Sequence, residues 1–164
     1  MDDGVGLRFG QYQTVKRLAT GGMAELFLVR SGGVDGFEKR LVLKRILPEL
    51  ATNKFFVDMF LDEARLAATL AHPNIAQIYD LGIANGLPYY TMEYIEGHDV
   101  LALLRRLGEQ GERMPLAEAL TIIVAAASGL HHAHERQAHG RPLGIVHRDV
   151  SPSNLLISYE GDVK

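Results

Sequence analysis

His147-Arg148-Asp149-Val150-Ser151-Pro152-Ser153-Asn154-Leu155-Leu156 is the stretch on which the reading of this chain turns. An Asp and an Asn five residues apart, on a tight loop that contains a proline, can set a proton acceptor beside a metal-ligating amide. After the loop, Leu155-Leu156-Ile157 reads as a short apolar strand and Glu160-Gly161-Asp162 as a turn. Before it, a long helix is expected from Pro115, a favoured first helical residue, to about Ala138. A shorter helix is expected near Val100–Leu107, and Gln137 to Leu143 reads as an insertion between the long helix and the loop.

N-terminal to Gly97 the pattern changes. Gln11 to Leu18, Glu25 to Arg30 and Arg40 to Ile46 are short β-like runs separated by Gly21-Gly22 and Gly32-Gly33, as in an antiparallel meander. A helix follows from about Asn53 to Leu70, closed by His72-Pro73 because the residue before proline disfavours helix. Two more strands, Ile75–Leu81 and Pro88–Tyr94, flank an Asn85-Gly86 turn. The simplest architecture is two lobes joined near Glu93–Gly97, the first mostly sheet and the second mostly helix. A crevice between such lobes is the expected ligand site.

Two charges in the first lobe stand out. Lys44 shares a strand face with Val42 and Ile46, where a lone lysine can also snorkel to water. Glu63 falls on a helical stripe with Phe56, Phe60, Ala67 and Leu70, and a carboxylate on an apolar face is costly unless paired. One inward cation and one inward anion are natural partners, so a Lys44–Glu63 pair is expected. The loop Leu18-Ala19-Thr20-Gly21-Gly22-Met23-Ala24-Glu25-Leu26 offers small residues and N–H groups to a phosphate, although glycine pairs also mark ordinary hairpins. It is not a Walker A loop, since no Gly-Lys-Ser/Thr follows, and a strand rather than a helix comes after it, which excludes a dinucleotide fingerprint.

Composition narrows the classes further. The 164 residues suit one domain or a pair of lobes, and 47% apolar with 23% charged residues is a globular balance that excludes a solvated, disordered chain. A net charge of −3 supplies no basic field for nucleic acid or an anionic membrane, and the absence of Cys excludes disulfides, thiolate metal sites and a thiol nucleophile. Met1-Asp2-Asp3-Gly4 lacks the positive start of a signal peptide. The most apolar run, Thr121 to Leu130, is shorter than the ~18–20 residues that span a bilayer, so a soluble, cytoplasmic chain without a membrane segment is expected. His131, His134 and Glu135 share a helix face but fit neither zinc motif H-E-x-x-H nor H-x-x-E-H; with His132 and His139 they read as surface or capping histidines.

The His147–Asn154 loop matches the pattern H-R-D-x-x-x-x-N, and with it the chain resembles the eukaryotic-like serine/threonine protein kinases of bacteria. The family order of Gly-rich loop, strand lysine, helix glutamate, hinge and catalytic loop is followed from about Tyr12 to Lys164. The resemblance implies an α+β, protein-kinase-like fold: a tail over 1–11, an antiparallel-sheet N-lobe with one helix over 12–95, and the helical beginning of a C-lobe over 96–164. It implies ATP and Mg2+ as cofactors, a protein substrate with a Ser or Thr acceptor, no nucleic-acid partner, and a role in bacterial signalling. Lys44 would hold the α- and β-phosphates with Glu63 as its acidic partner, under the loop residues Ala19, Thr20, Gly21, Gly22, Met23 and Ala24. Leu18, Leu26 and Val42 would cover the adenine, with Leu156 beneath. Met92 takes the gatekeeper position, Glu93 to Ile95 the hinge, and Asp99 the place of an acid meeting ribose or substrate. Asp149 would accept the proton of the acceptor hydroxyl and Asn154 would bind magnesium, while His147 and Arg148 hold the loop's shape.

Three departures from the family pattern bear on activity. The Gly-rich loop reads Ala19-x-Gly21-x-x-Ala24, which still permits close backbone approach while φ stays negative, and Val42 replaces a commoner alanine and narrows the adenine slot. Ser151 stands where serine/threonine kinases usually carry lysine, and a hydroxyl cannot neutralise phosphoryl charge as an ammonium does. The metal-binding D-F-G of the family is not within these 164 residues. The alternative to a kinase is therefore a nucleotide-binding pseudokinase or scaffold. The face meant for further helices would also be left apolar, which favours self-association. The 164 residues on their own are expected to show no appreciable phosphotransfer, and a radiolabel assay with ATP and magnesium reaching about 1–100 s⁻¹ would contradict this.

Overall fold

A computed structural model describes residues 6–32 and 38–164; Gly33 of the expected second glycine turn, and the acidic start, lie outside the described residues. The chain divides into two compact units, one of residues 1–69 with 77–94 and the other of residues 70–76 with 95–164.

Among the described residues the first unit is a six-stranded antiparallel sheet with one helix. Its strands are β1 (Arg8–Phe9), β2 (Tyr12–Thr20), β3 (Ala24–Gly32), β4 (Glu38–Ile46), β5 (Ile78–Ala84) and β6 (Leu87–Glu93), in the order β1-β2-β3-β4-β6-β5. Helix α1 (Lys54–Ala68) starts where the Asn53 side chain accepts from Phe55 N at 3.0 Å. It ends two residues before the expected Leu70, where Thr69 bonds back to the carbonyl of Leu66. The fifth strand likewise starts at Ile78 rather than Ile75.

The alternation of the strands sends side chains to two faces. Ala24, Ile46 and Tyr90 pack under Phe60 and Ala64 of α1, while Phe9, Tyr12, Phe27, Val29, Leu41, Leu43 and Tyr89 form a second cluster. Phe9 corrects the expectation of a tail over 1–11: Arg8 and Phe9 pair with Gln13 and Tyr12, and the Phe9 ring is buried against Phe27 and Tyr89. Burying one such ring is worth roughly 1.5–3 kcal/mol, enough to bring two extra residues into the sheet.

The second unit holds α2 (Val100–Glu109) and α3 (Leu116–His134), with two short β pairs. β7 (Gly97–Asp99) pairs with β10 (Leu156–Ser158), and β8 (Gln137–Ala138) with β9 (Arg141–Pro142). The expected insertion is thus a small hairpin, and α3 stops at His134, four residues before the expected Ala138. Residues 70–76 belong with this unit rather than with the sheet, which corrects the continuous first lobe over 12–95. Asn74 Nδ2 donates to the carbonyl of Val163 at 2.8 Å, and the Asn74 carbonyl lies where a Cβ on Gly129 would meet it at 2.8 Å.

Helix α3 is nineteen residues long and, by length and composition alone, apolar enough to cross a membrane. The most apolar run, Thr121–Leu130, forms the middle of this helix. The helix buries Ile122, Gly129 and Ala133 and leaves Leu116, Leu120, Ile123 and Val124 exposed.

Gly97 is required by a close approach: a Cβ there would lie 1.9 Å from the carbonyl oxygen of Ile157 on the paired strand. Gly97→Ala is expected to cost about 1–3 kcal/mol by overpacking, or roughly 3–10 °C in Tm for a chain of this size. Gly108→Ala, in α2 with nothing within 4 Å of its added Cβ, serves as the control and should be neutral or stabilising in a thermal melt.

Candidate active site

In the first unit the functional side chains lie on the sheet face that α1 covers. Leu26 lies opposite Lys44 in the β3–β4 register, and Val42 and Lys44 lie opposite Met92 and Tyr90 in the β4–β6 register. Leu26, Val42, Lys44, Tyr90 and Met92 therefore share one face. Leu18 occupies a register shift between Arg17 and Ala19 and is largely exposed. Val42 is buried.

Lys44 and Glu63 meet as expected. Lys44 Nζ lies 2.5 Å from Glu63 Oε1, and the Tyr90 hydroxyl donates to the same oxygen at 2.8 Å. The Glu63 side chain remains 55% accessible and that of Lys44 25%, so the pair adds only about 0.2–1 kcal/mol to stability. What the contact supplies is position.

The turn between β2 and β3 is closed by Gly21 N donating to the carbonyl of Ala24 at 2.8 Å. Neither Gly21 nor Gly22 has a positive φ, and a Cβ on Gly22 would meet nothing within 4 Å. The fold itself does not require glycine at these positions, and bare backbone is left open to a ligand. Ala19 and Ala24 lie in regular strand with no positive φ, the condition expected for close backbone approach. Thr20 and Met23 flank the turn, Thr20 exposed and Met23 half-buried.

At the end of β6, Glu93 N donates to the carbonyl of Gln77 at 2.8 Å, and Gln77 N to Glu93 Oε2 at 3.2 Å. The Glu93 N–H is therefore spent within the sheet; Met92 and Glu93 are half-buried.

In the second unit Ile95 is half-buried, and Asp99 caps α2, accepting from Ala102 N at 2.7 Å. Leu156 lies directly opposite Asp99 in the β7–β10 register. The loop 147–154 is organised by short-range bonds. Asn154 Nδ2 donates to Asp149 Oδ2 at 2.8 Å and to the Asp149 carbonyl at 2.9 Å, so carboxylate and amide lie side by side. Asp149 N donates to His147 Nδ1 at 3.3 Å, and Arg148 between them has a φ of 66°, a conformation that non-glycine residues rarely adopt. Ser151 pairs with Ser153, their hydroxyls 2.9 Å apart. Asp149 and Asn154 are exposed.

Tyr90 is the member of this constellation that sequence reading missed. No motif marks it, and its role follows from lying opposite Lys44 across two strands, a register that only the folded sheet defines. Among the described residues no group of three or more His, Cys, Asp or Glu side chains is gathered for a metal.

Burial pushes the Glu63 carboxyl up, but the hydrogen bond and charge of Lys44 and the Tyr90 hydroxyl outweigh it and hold the group below the ordinary glutamate range. A carboxyl depressed in the folded state contributes stability above its unfolded value of about 4.3, and loses it as pH falls through the lower folded value. Carbon-detected NMR is expected to show Glu63 titrating below that value, and in Lys44→Met its midpoint should move upward. An unmoved midpoint would remove Lys44 as the cause.

Comparison with known proteins agrees with this geometry. The family model described as "Protein kinase domain" matches residues 12–164. The chain is 53% identical over 157 residues to the tyrosine-protein kinase MasK of Myxococcus xanthus, covering 95% of this chain and 24% of that protein. It is 36% identical over 155 residues to the serine/threonine-protein kinase PrkC of Bacillus subtilis, covering 94% and 22%. The chain thus spans about a quarter of the length of these relatives. The crystal structure of the Mycobacterium tuberculosis PknI kinase domain superposes with a TM-score of 0.71 at 30% identity, covering 96% of this chain and 59% of that one. Its antiparallel sheet with a single packed helix, its match to the kinase family from Tyr12 onward and its likeness to bacterial kinases make this chain a member of the protein kinase family.

Proposed function

We propose that the chain carries the nucleotide-binding and catalytic-loop portion of an ATP-dependent protein kinase that phosphorylates Ser or Thr hydroxyls in cytoplasmic bacterial signalling. The observation that carries this reading is the 2.5 Å contact between Lys44 Nζ and Glu63 Oε1, which aims a cation from the sheet without burying it.

In this reading one N–H of Lys44 stays with Glu63 while its other donors turn to the α- and β-phosphates. The open backbone of Gly21 and Gly22 lies against the phosphates, and Leu18, Leu26 and Val42 cover the purine. Asp149 accepts a hydrogen bond from the acceptor hydroxyl and takes its proton as the oxygen bonds to the γ-phosphorus and the bond to the ADP oxygen breaks. The bond from Asn154 Nδ2 to Asp149 fixes the carboxylate's orientation and leaves the amide oxygen for a cation. An amide oxygen suits a hard ion such as Mg2+ in kind, though one neutral donor does not make a site by itself. The ion, when bound, neutralises phosphate charge. Ser151, held by Ser153, supplies no cation for the transferring group, which points to slow turnover.

A second reading, with Tyr as acceptor, is favoured by the 53% identity to a protein named as a tyrosine kinase together with Ser151 in the loop. Both are tested in a protein that carries this chain together with a C-lobe containing D-F-G, by radiolabel transfer from ATP to Ser, Thr and Tyr peptides. Asp149→Asn is expected to lower kcat by about 10²–10⁴ with ATP affinity nearly unchanged, and Lys44→Met to weaken ATP binding. Turnover that survives Asp149→Asn would overturn the assignment of the base, and no transfer by the parent would leave the pseudokinase alternative in its place.

A further inference from the structure

The Tyr90 hydroxyl donates to Glu63 Oε1 at 2.8 Å, the oxygen that also accepts Lys44 Nζ. Tyr90 is only 4% exposed. Its ring packs on Phe60 of α1 with centroids 5.2 Å apart, and Lys44 Nζ stands 5.5 Å from its centroid. The buried residues clustered with it are Ala24, Ile46, Phe60 and Ala64, whose side chains offer no acceptor, and Glu63 satisfies the buried phenol. Burial and the neighbouring carboxylate both push the phenol up, and it remains a donor across the working pH range.

Two consequences follow from this geometry. A movement of α1 that withdraws Glu63 would strand a buried hydroxyl as well as the ammonium. When a phosphate competes for Lys44, moreover, Glu63 keeps one partner that the phosphate does not take.

We propose that Tyr90 is a positioning residue: its hydroxyl latches Glu63, and through it α1, to the sheet in the arrangement that presents Lys44 to the nucleotide. The proposal rests on the reading of Lys44 as the phosphate-binding cation. It makes the placement of α1 partly intrinsic to this unit, rather than dependent on the exposed ion pair alone.

A mutant cycle in a protein that carries this chain together with a C-lobe containing D-F-G tests it, with parent, Tyr90→Phe, Glu63→Gln and the double variant, and with Lys44→Met as reference. A fluorescent ATP analogue with Mg2+ reads affinity, steady-state kinetics separate KM from kcat, and a thermal melt reads stability. Tyr90→Phe keeps the ring on Phe60 and is expected to weaken nucleotide affinity about tenfold, the scale of one hydrogen bond to a charged group. In the Glu63→Gln background that loss should largely disappear. An equal loss with and without Glu63, or none in either, overturns the latch. If Lys44→Met binds nucleotide like the parent, the underlying reading fails as well; if it binds weakly while Tyr90→Phe is unaffected, only the latch fails. Should Tyr90→Phe not fold, the Tyr90 hydroxyl proton decides: it should be slow to exchange in the parent and fast in Glu63→Ala, and equal rates in both would overturn the proposal.

Discussion

A charge on an apolar face has to be met by another, and that constraint organises the first unit. Lys44 projects from a strand among Leu26, Val42 and Met92, and Glu63 from a helix whose neighbouring turns pack on the same sheet. Their contact is worth little as a surface ion pair. Its consequence is geometric: an ammonium held at 2.5 Å from one carboxylate oxygen has a fixed origin and two remaining donors. Tyr90 ties the same oxygen to the sheet, so the carboxylate is located from two strands at once.

The loop 147–154 is built on a different principle. Its side-chain hydrogen bonds are local: those from Asn154 to Asp149, from Asp149 to His147 and between Ser151 and Ser153 all span five residues or fewer. The left-handed backbone at Arg148 turns the chain sharply between the histidine and the aspartate. A strained residue of this kind persists when its surroundings over-determine it, and here the surroundings are a short hydrogen-bonded ring with the Pro152–Asn154 turn behind it. An exposed loop can therefore hold its carboxylate and amide together through its own hydrogen bonds.

Ser151 removes the ammonium that usually attends the transferring phosphoryl group in serine/threonine kinases, and its hydroxyl is engaged with Ser153.

Much of this was legible in the primary structure because it depends on short spacings. The Asp149–Asn154 loop, the Gly21-Gly22 turn, the face shared by Val42, Lys44 and Ile46, and the apolar stripe that makes Glu63 anomalous are all periodicities of fewer than ten residues. From them followed the antiparallel sheet with one helix and the Lys44–Glu63 pair. Contacts that span the chain were not legible. Arg8 and Phe9 join the sheet only because Tyr12, Phe27 and Tyr89 converge to cover an aromatic ring. Residues 70–76 leave the first unit because Asn74 finds a carbonyl 89 positions away. Tyr90 becomes part of the site because pairing of β4 with β6 sets it opposite Lys44. Local pattern determines which face a side chain turns to; only the folded sheet decides what waits there, since register between distant strands is set by the summed packing of the whole core and by no single residue.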